Sequence, residues 1–204
     1  MSIFFVTGIS TNVGKTIASA IITEALNADY WKPVQAGELN NSDRMTVKQL
    51  ISNPITVIHE SSFELNTPMS PHAAAEIDGL QIQSTKIKLP KTKNTLVIEG
   101  AGGLLVPLNN SETVLDLIKT EYKVIIVSRH YLGSINHTLL TIEYLKARGF
   151  DISLIYSGQE HPTTESVISE MTGVRVIGRI EEEPFFDSNV VSEYAQLFQP
   201  QLST

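Results

Sequence analysis

Four residues of the segment GISTNVGKT, residues 8–16, are spaced for phosphate chemistry: Gly8, Gly14, Lys15 and Thr16 fill the fixed places of G-x-x-x-x-G-K-[ST]. The glycines let the backbone wrap an anion with its amide N–H groups turned inward. A helix starting immediately afterwards adds the positive field of its N-terminus. Lys15 is a mobile cation for the β- and γ-phosphates, and Thr16 offers a hydroxyl to Mg²⁺. At average composition the four positions coincide by chance in roughly one chain in a hundred. Here the loop also lies between an apolar strand and a helical segment, which is the context the chemistry requires.

In open α/β sheets ligands bind at the carboxyl ends of the strands, so those ends are where partners are expected. YWKPVQAG places Lys32 within an apolar strand ending. A lysine is costly to bury there unless it meets an anion, and phosphate is the anion at hand; the alternative is a side chain that reaches out to solvent. In TLVIEGAGG, Glu99 ends an apolar run and is followed by Gly100, Ala101, Gly102 and Gly103. A carboxylate in that place of a phosphate-loop protein suits a metal, directly or through water, or is a hydrogen-bonded glutamate at a strand-to-loop turn, and the glycines permit close approach to a ligand. They do not spell the dinucleotide fingerprint, because Leu105 occupies its last position. Asp43, in NNSDR, suits either the N-cap of the next helix or a second acidic metal ligand, and its spacing leaves both open. In MSPH, Ser70 as N-cap and Pro71 at the first helical position account for the segment and leave His72 structural. GSINH, residues 133–137, also opens a helix, whose free N–H groups suit a carboxylate or are simply capped. His59, His130 and His161 show no metal-ligand spacing.

The elements that must position these residues follow from hydrophobic patterning. Short, nearly continuous β-branched runs recur: IFFV at 3–6, YWKPV at 30–34, TLVIE at 95–99, KVIIV at 123–127, ISLIY at 152–156 and VRVIG at 174–178. They suit strands buried on both faces of a parallel sheet. Between them lie segments of helical period: KTIASAIITEALNA, SINHTLLTIEYLKARG with Ser134 as N-cap and Gly149 as stop, and TTESVISEMTG at 163–173. The alternation predicts an α/β fold, a single doubly wound and mainly parallel sheet with helices on both faces, of the P-loop NTPase type. Residues 1–204 read as one domain without repeat or linker. The lysine-rich stretch 82–94 reads as a solvated surface segment.

Composition bounds the function. The 204 residues are 42% hydrophobic and 18% charged, ordinary for a globular protein. The absence of cysteine excludes a disulfide scaffold, a thiolate metal site and a cysteine nucleophile. A formal net charge of -7 argues against nucleic acid as a partner. The first residues are too short and uncharged for a signal peptide, and no apolar run reaches transmembrane length, so a cytoplasmic protein without membrane partners is expected.

Taken in order, GISTNVGKT, KPVQAG, NSD, SPH, EGAGG and GSINH resemble the dethiobiotin synthetase family, with specific motifs from residue 1 to about 150 and a weaker likeness beyond. The resemblance implies a homodimeric P-loop enzyme that uses ATP, Mg²⁺ and CO₂ to close the ureido ring of 7,8-diaminopelargonate in biotin synthesis. It implies that Lys15 and Lys32 form the catalytic pair flanking the transferring phosphoryl group, and that Thr16, Asp43 and Glu99 hold Mg²⁺. The nucleotide would contact Asn12, Val13, Gly14, Lys15, Thr16 and Ile17, then Asp43, Glu99, Gly100, Ala101 and Gly102. Further along the chain it would contact Ser157, Gly158, Ile180, Glu181 and Glu182. The substrate would contact Thr11, Lys32, Ala36, Gly103 and Asn136, the last presented across the dimer interface. The chain departs from the family pattern at Asn12, where an acidic residue is common, and at Ala36, where a small hydroxyl residue is usual. Ser157–Gly158 stands where an asparagine reads adenine, and GRIEEEP replaces G-x-I-P. Two neighbouring readings fit less well. A cobyrinate-type amidotransferase carries a cysteine-bearing glutaminase domain, and a partition-type ATPase switch carries an extra lysine early in the loop, where this chain reads GISTN.

Overall fold

The computed structural model describes residues 2–202. The apolar runs form the strands of one sheet: β1 (Ile3–Gly8), β2 (Asp29–Trp31), β4 (Ile58–His59), β6 (Leu96–Gly103), β7 (Lys123–Arg129), β8 (Asp151–Ser157) and β9 (Arg175–Ile180). Their order is β4-β2-β6-β1-β7-β8-β9 and every pairing is parallel. Two short strands, β3 (Val34–Ala36) and β5 (Phe63–Leu65), pair separately, also in parallel. The helices are α1 (Lys15–Leu26), α2 (Asp43–Leu50), α3 (Pro71–Ile77), α4 (Ser134–Lys146), α5 (Pro162–Thr172) and α6 (Ser188–Leu202). On one face of the sheet α1 packs against α2 and α6; on the other, α4 packs against α5 and the strands β7 and β8. Phe5, Val6, Leu96, Val97, Ile126, Leu154 and Ile155 are fully buried because both faces are covered.

Several local details differ from the sequence reading. Lys32 does not lie within a strand: β2 stops at Trp31, and Pro33, which has no N–H to give a ladder, separates it from β3. Lys32 therefore sits in a break between two sheets. Ser134 is the first residue of α4 and not its cap; the cap is Gly133, at φ 102°. The stretch 82–94 is not simply solvated. Ile82 is fully buried and Ile87 and Leu89 pack on the core. Glu112 pins the segment by accepting the Ser84 N–H at 3.0 Å and bonding its hydroxyl. α3 begins at Pro71 after Ser70, as its capping residues indicate. Among the described residues no helix is long and apolar enough to cross a membrane.

Candidate active site

The loop after β1 is held by close contacts that leave no room for a side chain at Gly8 or Gly14. A Cβ on Gly8 would lie 2.6 Å from Val13 Cγ2 and 2.7 Å from the Ser10 carbonyl oxygen. Gly14 caps α1 in the left-handed region at φ 91°. Asn12 is also left-handed, at φ 57°, a conformation that asparagine tolerates better than most side chains. Val13 is buried and Ile17 packs on the core, so only their backbone faces the loop's concavity. Lys15 Nζ donates to the Ser10 carbonyl at 3.0 Å. Burial lowers its pKa to about 8, against the opposing charge of Glu99.

Around Thr16 the chain gathers two carboxylates, a second lysine and a phenol. The Thr16 hydroxyl lies 2.6 Å from Asp43 Oδ1 and 3.0 Å from Glu99 Oε1, so its single proton serves one of them at a time. Lys32 Nζ lies 2.6 Å from Asp43 Oδ2 and 2.9 Å from Glu99 Oε1. Tyr30, on β2, donates its hydroxyl to Glu99 Oε2 at 2.8 Å. Burial works to lower the pKa of Lys32, but the charges of Glu99 and Asp43 outweigh it and the net shift is upward. Asp43 shows the complementary balance: burial works to raise its pKa, and Lys32 with the Thr16 hydrogen bond brings it below the usual carboxylate range. Ser42, not Asp43, is the N-cap of α2, which frees the Asp43 carboxylate for the cluster. One hydroxyl and two carboxylates are hard oxygen donors. Among the described residues no group of three His, Cys, Asp or Glu could hold a metal by itself. Such a partial set suits Mg²⁺, which keeps waters and takes further oxygens from substrate phosphates.

The other expected nucleotide contacts lie next to this cluster. Gly100 is packed so tightly that a Cβ would come within 3.0 Å of the Phe5 ring, and Ala101 is half-buried beside it. A Cβ on Gly102, at φ 67°, would lie 2.8 Å from Val106 and 3.5 Å from the Thr11 hydroxyl, so the strand β6 end and the phosphate loop touch. A Cβ on Gly14 would lie 2.8 Å from the Ser157 hydroxyl, so the end of β8 borders the loop as well. Gly158 donates its N–H to the Ile180 carbonyl at 2.8 Å. Glu182 is paired with Arg129, while Glu181 donates its N–H to Tyr194 at 3.0 Å and faces Arg179 at 3.3 Å.

Thr11 and Gly103 line an apolar cavity of about 500 Å³ between the loop, Leu104–Pro107 and the α4 residues His137, Leu140 and Tyr144. Ala36 lies on β3, away from the cavity lining, and Asn136 is exposed on α4 outside it. The sequence reading missed Tyr30, Arg129 and Tyr194. It found no metal-ligand spacing at His130 and His161; their rings lie 5.8 Å apart and His130 bonds Glu165 at 2.8 Å. Only strand register and loop closure bring these residues in.

Residues 3–189 match a family model described as an AAA domain. The chain is 62% identical over 200 residues to the ATP-dependent dethiobiotin synthetase of Christiangramia forsetii, covering 98% of this chain and 97% of that protein. The chain belongs to the ATP-dependent dethiobiotin synthetase family. A second member, from Cytophaga hutchinsonii, is 46% identical and covers 96% of both chains. Solved structures share the fold of this dethiobiotin synthetase family member at much lower identity. A plasmid partition protein of Borrelia burgdorferi bound to AMPPNP aligns with TM-score 0.60 at 16% identity, covering 99% of this chain and 98% of that one. The ParA family ATPase of Chlorobium tepidum aligns at 0.59 and 11%, covering 96% of this chain and 97% of that one. At such identity they establish the architecture alone.

Proposed function

We propose that this chain, acting as one domain over residues 1–204, makes dethiobiotin from 7,8-diaminopelargonate, CO₂ and ATP, releasing ADP and phosphate. One amine of the substrate adds to CO₂ and loses a proton, giving a carbamate. A carbamate oxygen attacks the γ-phosphorus, and the bond to ADP breaks. The neighbouring amine then attacks the carbonyl carbon of the mixed anhydride, closing the ring and expelling phosphate. No side-chain nucleophile is needed; the protein contributes position and charge.

Membership of the dethiobiotin synthetase family supports the reaction, and one observation carries the assignment of residues: Asp43 and Glu99 meet at the Thr16 hydroxyl and both pair with Lys32, beside the phosphate loop that carries Lys15. Lys15 leaves the Ser10 carbonyl to meet the phosphates. Lys32, close enough to Lys15 for their charges to interact, meets the transferring phosphoryl group. Thr16, Asp43 and Glu99 would hold Mg²⁺, which would supply positive charge to the β- and γ-phosphate oxygens. Residues 12–17 and 99–102 cradle the nucleotide, with Ser157, Gly158 and residues 180–182 at the base. Thr11 and Gly103 lead into the apolar cavity, whose size and lining suit the aliphatic chain of the substrate. Ala36, on β3 outside the apolar cavity, would border only the part of the substrate that extends toward Lys32, without a hydroxyl to offer it. Asn136 completes the site from a partner subunit, at the α4 N-terminus, where a carboxylate is favoured. We place this chemistry in the cytoplasm, where ATP is made. The purified protein is expected to consume ATP only when both the diamine and CO₂ or bicarbonate are present. Equal turnover without the diamine would overturn the assignment. Running the assay with a panel of nucleoside triphosphates reads the base preference in the same experiment.

A further inference from the structure

Tyr30 reaches the site through strand register. β2 and β6 pair with Tyr30 opposite Val97 and Trp31 opposite Ile98. Glu99 lies two residues beyond Val97, on the same face of the sheet, so it is the diagonal neighbour of Tyr30. That diagonal is about 7–8 Å between backbones, within the reach of an aromatic side chain. The phenol ring is fully buried, and its hydroxyl donates to Glu99 Oε2 at 2.8 Å. Thr16 and Lys32 both meet this carboxylate at Oε1.

We infer that Tyr30 is a positioning residue for Glu99: its hydroxyl fixes Oε2 and so keeps Oε1 turned toward Thr16 and the divalent cation. The inference rests on the reading of Glu99 as a cation ligand. During the reaction the other partners must change. Lys32 turns to a phosphoryl group, and the Thr16 hydroxyl turns from carboxylate to cation. Among the described residues the Tyr30 hydroxyl has no such second partner. Its ring has only two torsions and both are fixed by the core, so it holds the carboxylate without further ordering at the moment of binding. A phenylalanine would fill the same space without burying a hydroxyl, which is unfavourable unless the hydroxyl is bonded. The outer partner of a metal-ligating carboxylate orients it in the same manner in other metal sites.

The test is Tyr30→Phe, read as Mn²⁺ binding to protein saturated with AMPPNP, using the EPR signal of free Mn²⁺. Mn²⁺ binding is expected to weaken about 10- to 100-fold, while AMPPNP binding in EDTA stays within about twofold. Mn²⁺ binding within twofold of the unsubstituted protein would overturn the inference. A parallel loss of metal-free AMPPNP binding would overturn it too, by showing a general packing role. Glu99→Gln separates the two readings. If that variant binds Mn²⁺ normally, Glu99 is not a ligand and the inference falls with it. If it binds weakly and Tyr30→Phe does not, only the inference falls. The double variant should be no weaker than Glu99→Gln alone; losses that add would mean Tyr30 acts elsewhere. Should Tyr30→Phe not fold, 3-fluorotyrosine at position 30 gives the second measurement. Its ¹⁹F resonance should move when Mg²⁺ is added to the AMPPNP-saturated protein, and an unmoved line would overturn the inference.

Discussion

Lys15 shows how one buried charge couples the site to pH. Burial holds its pKa at about 8 while Glu99 resists the shift. Phosphates arriving beside it favour the charged form, so binding raises that pKa. Below pH 8 the free lysine is already charged and contributes no pH dependence. Above pH 8 binding must take up a proton, and affinity falls by up to tenfold per pH unit until the pKa of the bound state is reached. Calorimetric titration with AMPPNP between pH 7 and 9.5 should show this slope, and buffers of different ionisation enthalpy should show the proton uptake. Lys15→Gln, neutral throughout, should bind more weakly at every pH and lose the slope. A slope retained in that variant would assign the proton to another group. The raised pKa of Lys32 has the opposite meaning. Its charge is held by Glu99 and Asp43 against burial, so its contribution to stability is complete below the unfolded value of 10.5 and is lost only as pH rises through the still higher folded value.

At the scale of elements, the phosphate loop works through its backbone, and Asn12 tests that. Its left-handed φ of 57° makes backbone conformation the requirement at a position where the family commonly has an acid. Asn12→Gly should therefore keep AMPPNP affinity within about threefold, because glycine enters this region freely. Asn12→Val should weaken binding about tenfold, since a β-branched residue there costs roughly 1–2 kcal/mol. Equal losses in both variants would mean that the amide side chain itself contacts the ligand. The strands β1, β6, β7, β8 and β9 were legible in the sequence because a parallel sheet covered on both faces demands continuous apolar runs. The loop was legible because glycine, lysine and threonine spacing follows directly from wrapping a phosphate. Tyr30 was not, since its meeting with Glu99 depends on which strand lies beside which, and β2 has only three residues. The α6 helix was passed over for a different reason. Its buried face of Val191, Tyr194, Ala195, Phe198 and Leu202 has helical spacing, but polar residues and Pro200 interrupt the run. The Lys32 break was hidden because YWKPV reads as one apolar segment when Pro33 is not given its missing donor.

At the scale of the whole molecule, the proposed function puts the phosphate end of the site within one chain and completes its carboxylate end from a partner subunit. The α4 N-terminus carries Asn136 exposed and apart from the cavity lining. Around it Tyr131, Leu132, Ile135 and Leu140 are exposed, and Leu132 is fully so. Leu105, on the cavity wall across from α4, is exposed as well. Exposed apolar side chains beside the cavity are what a second copy of the chain would cover under the proposed function, and a twofold arrangement would present each Asn136 to its partner's cavity. Leu132→Asp places a charge where that interface would be dry and leaves the Lys15, Lys32, Asp43 and Glu99 cluster untouched. The variant should sediment as a monomer under conditions where the unsubstituted protein sediments as a dimer. Its KM for the diamine should rise at least tenfold, because the carboxylate loses its site, while AMPPNP binding stays within about threefold. A monomeric variant with unchanged KM would mean that each chain binds its substrate alone, and Asn136 would then have no part in the site.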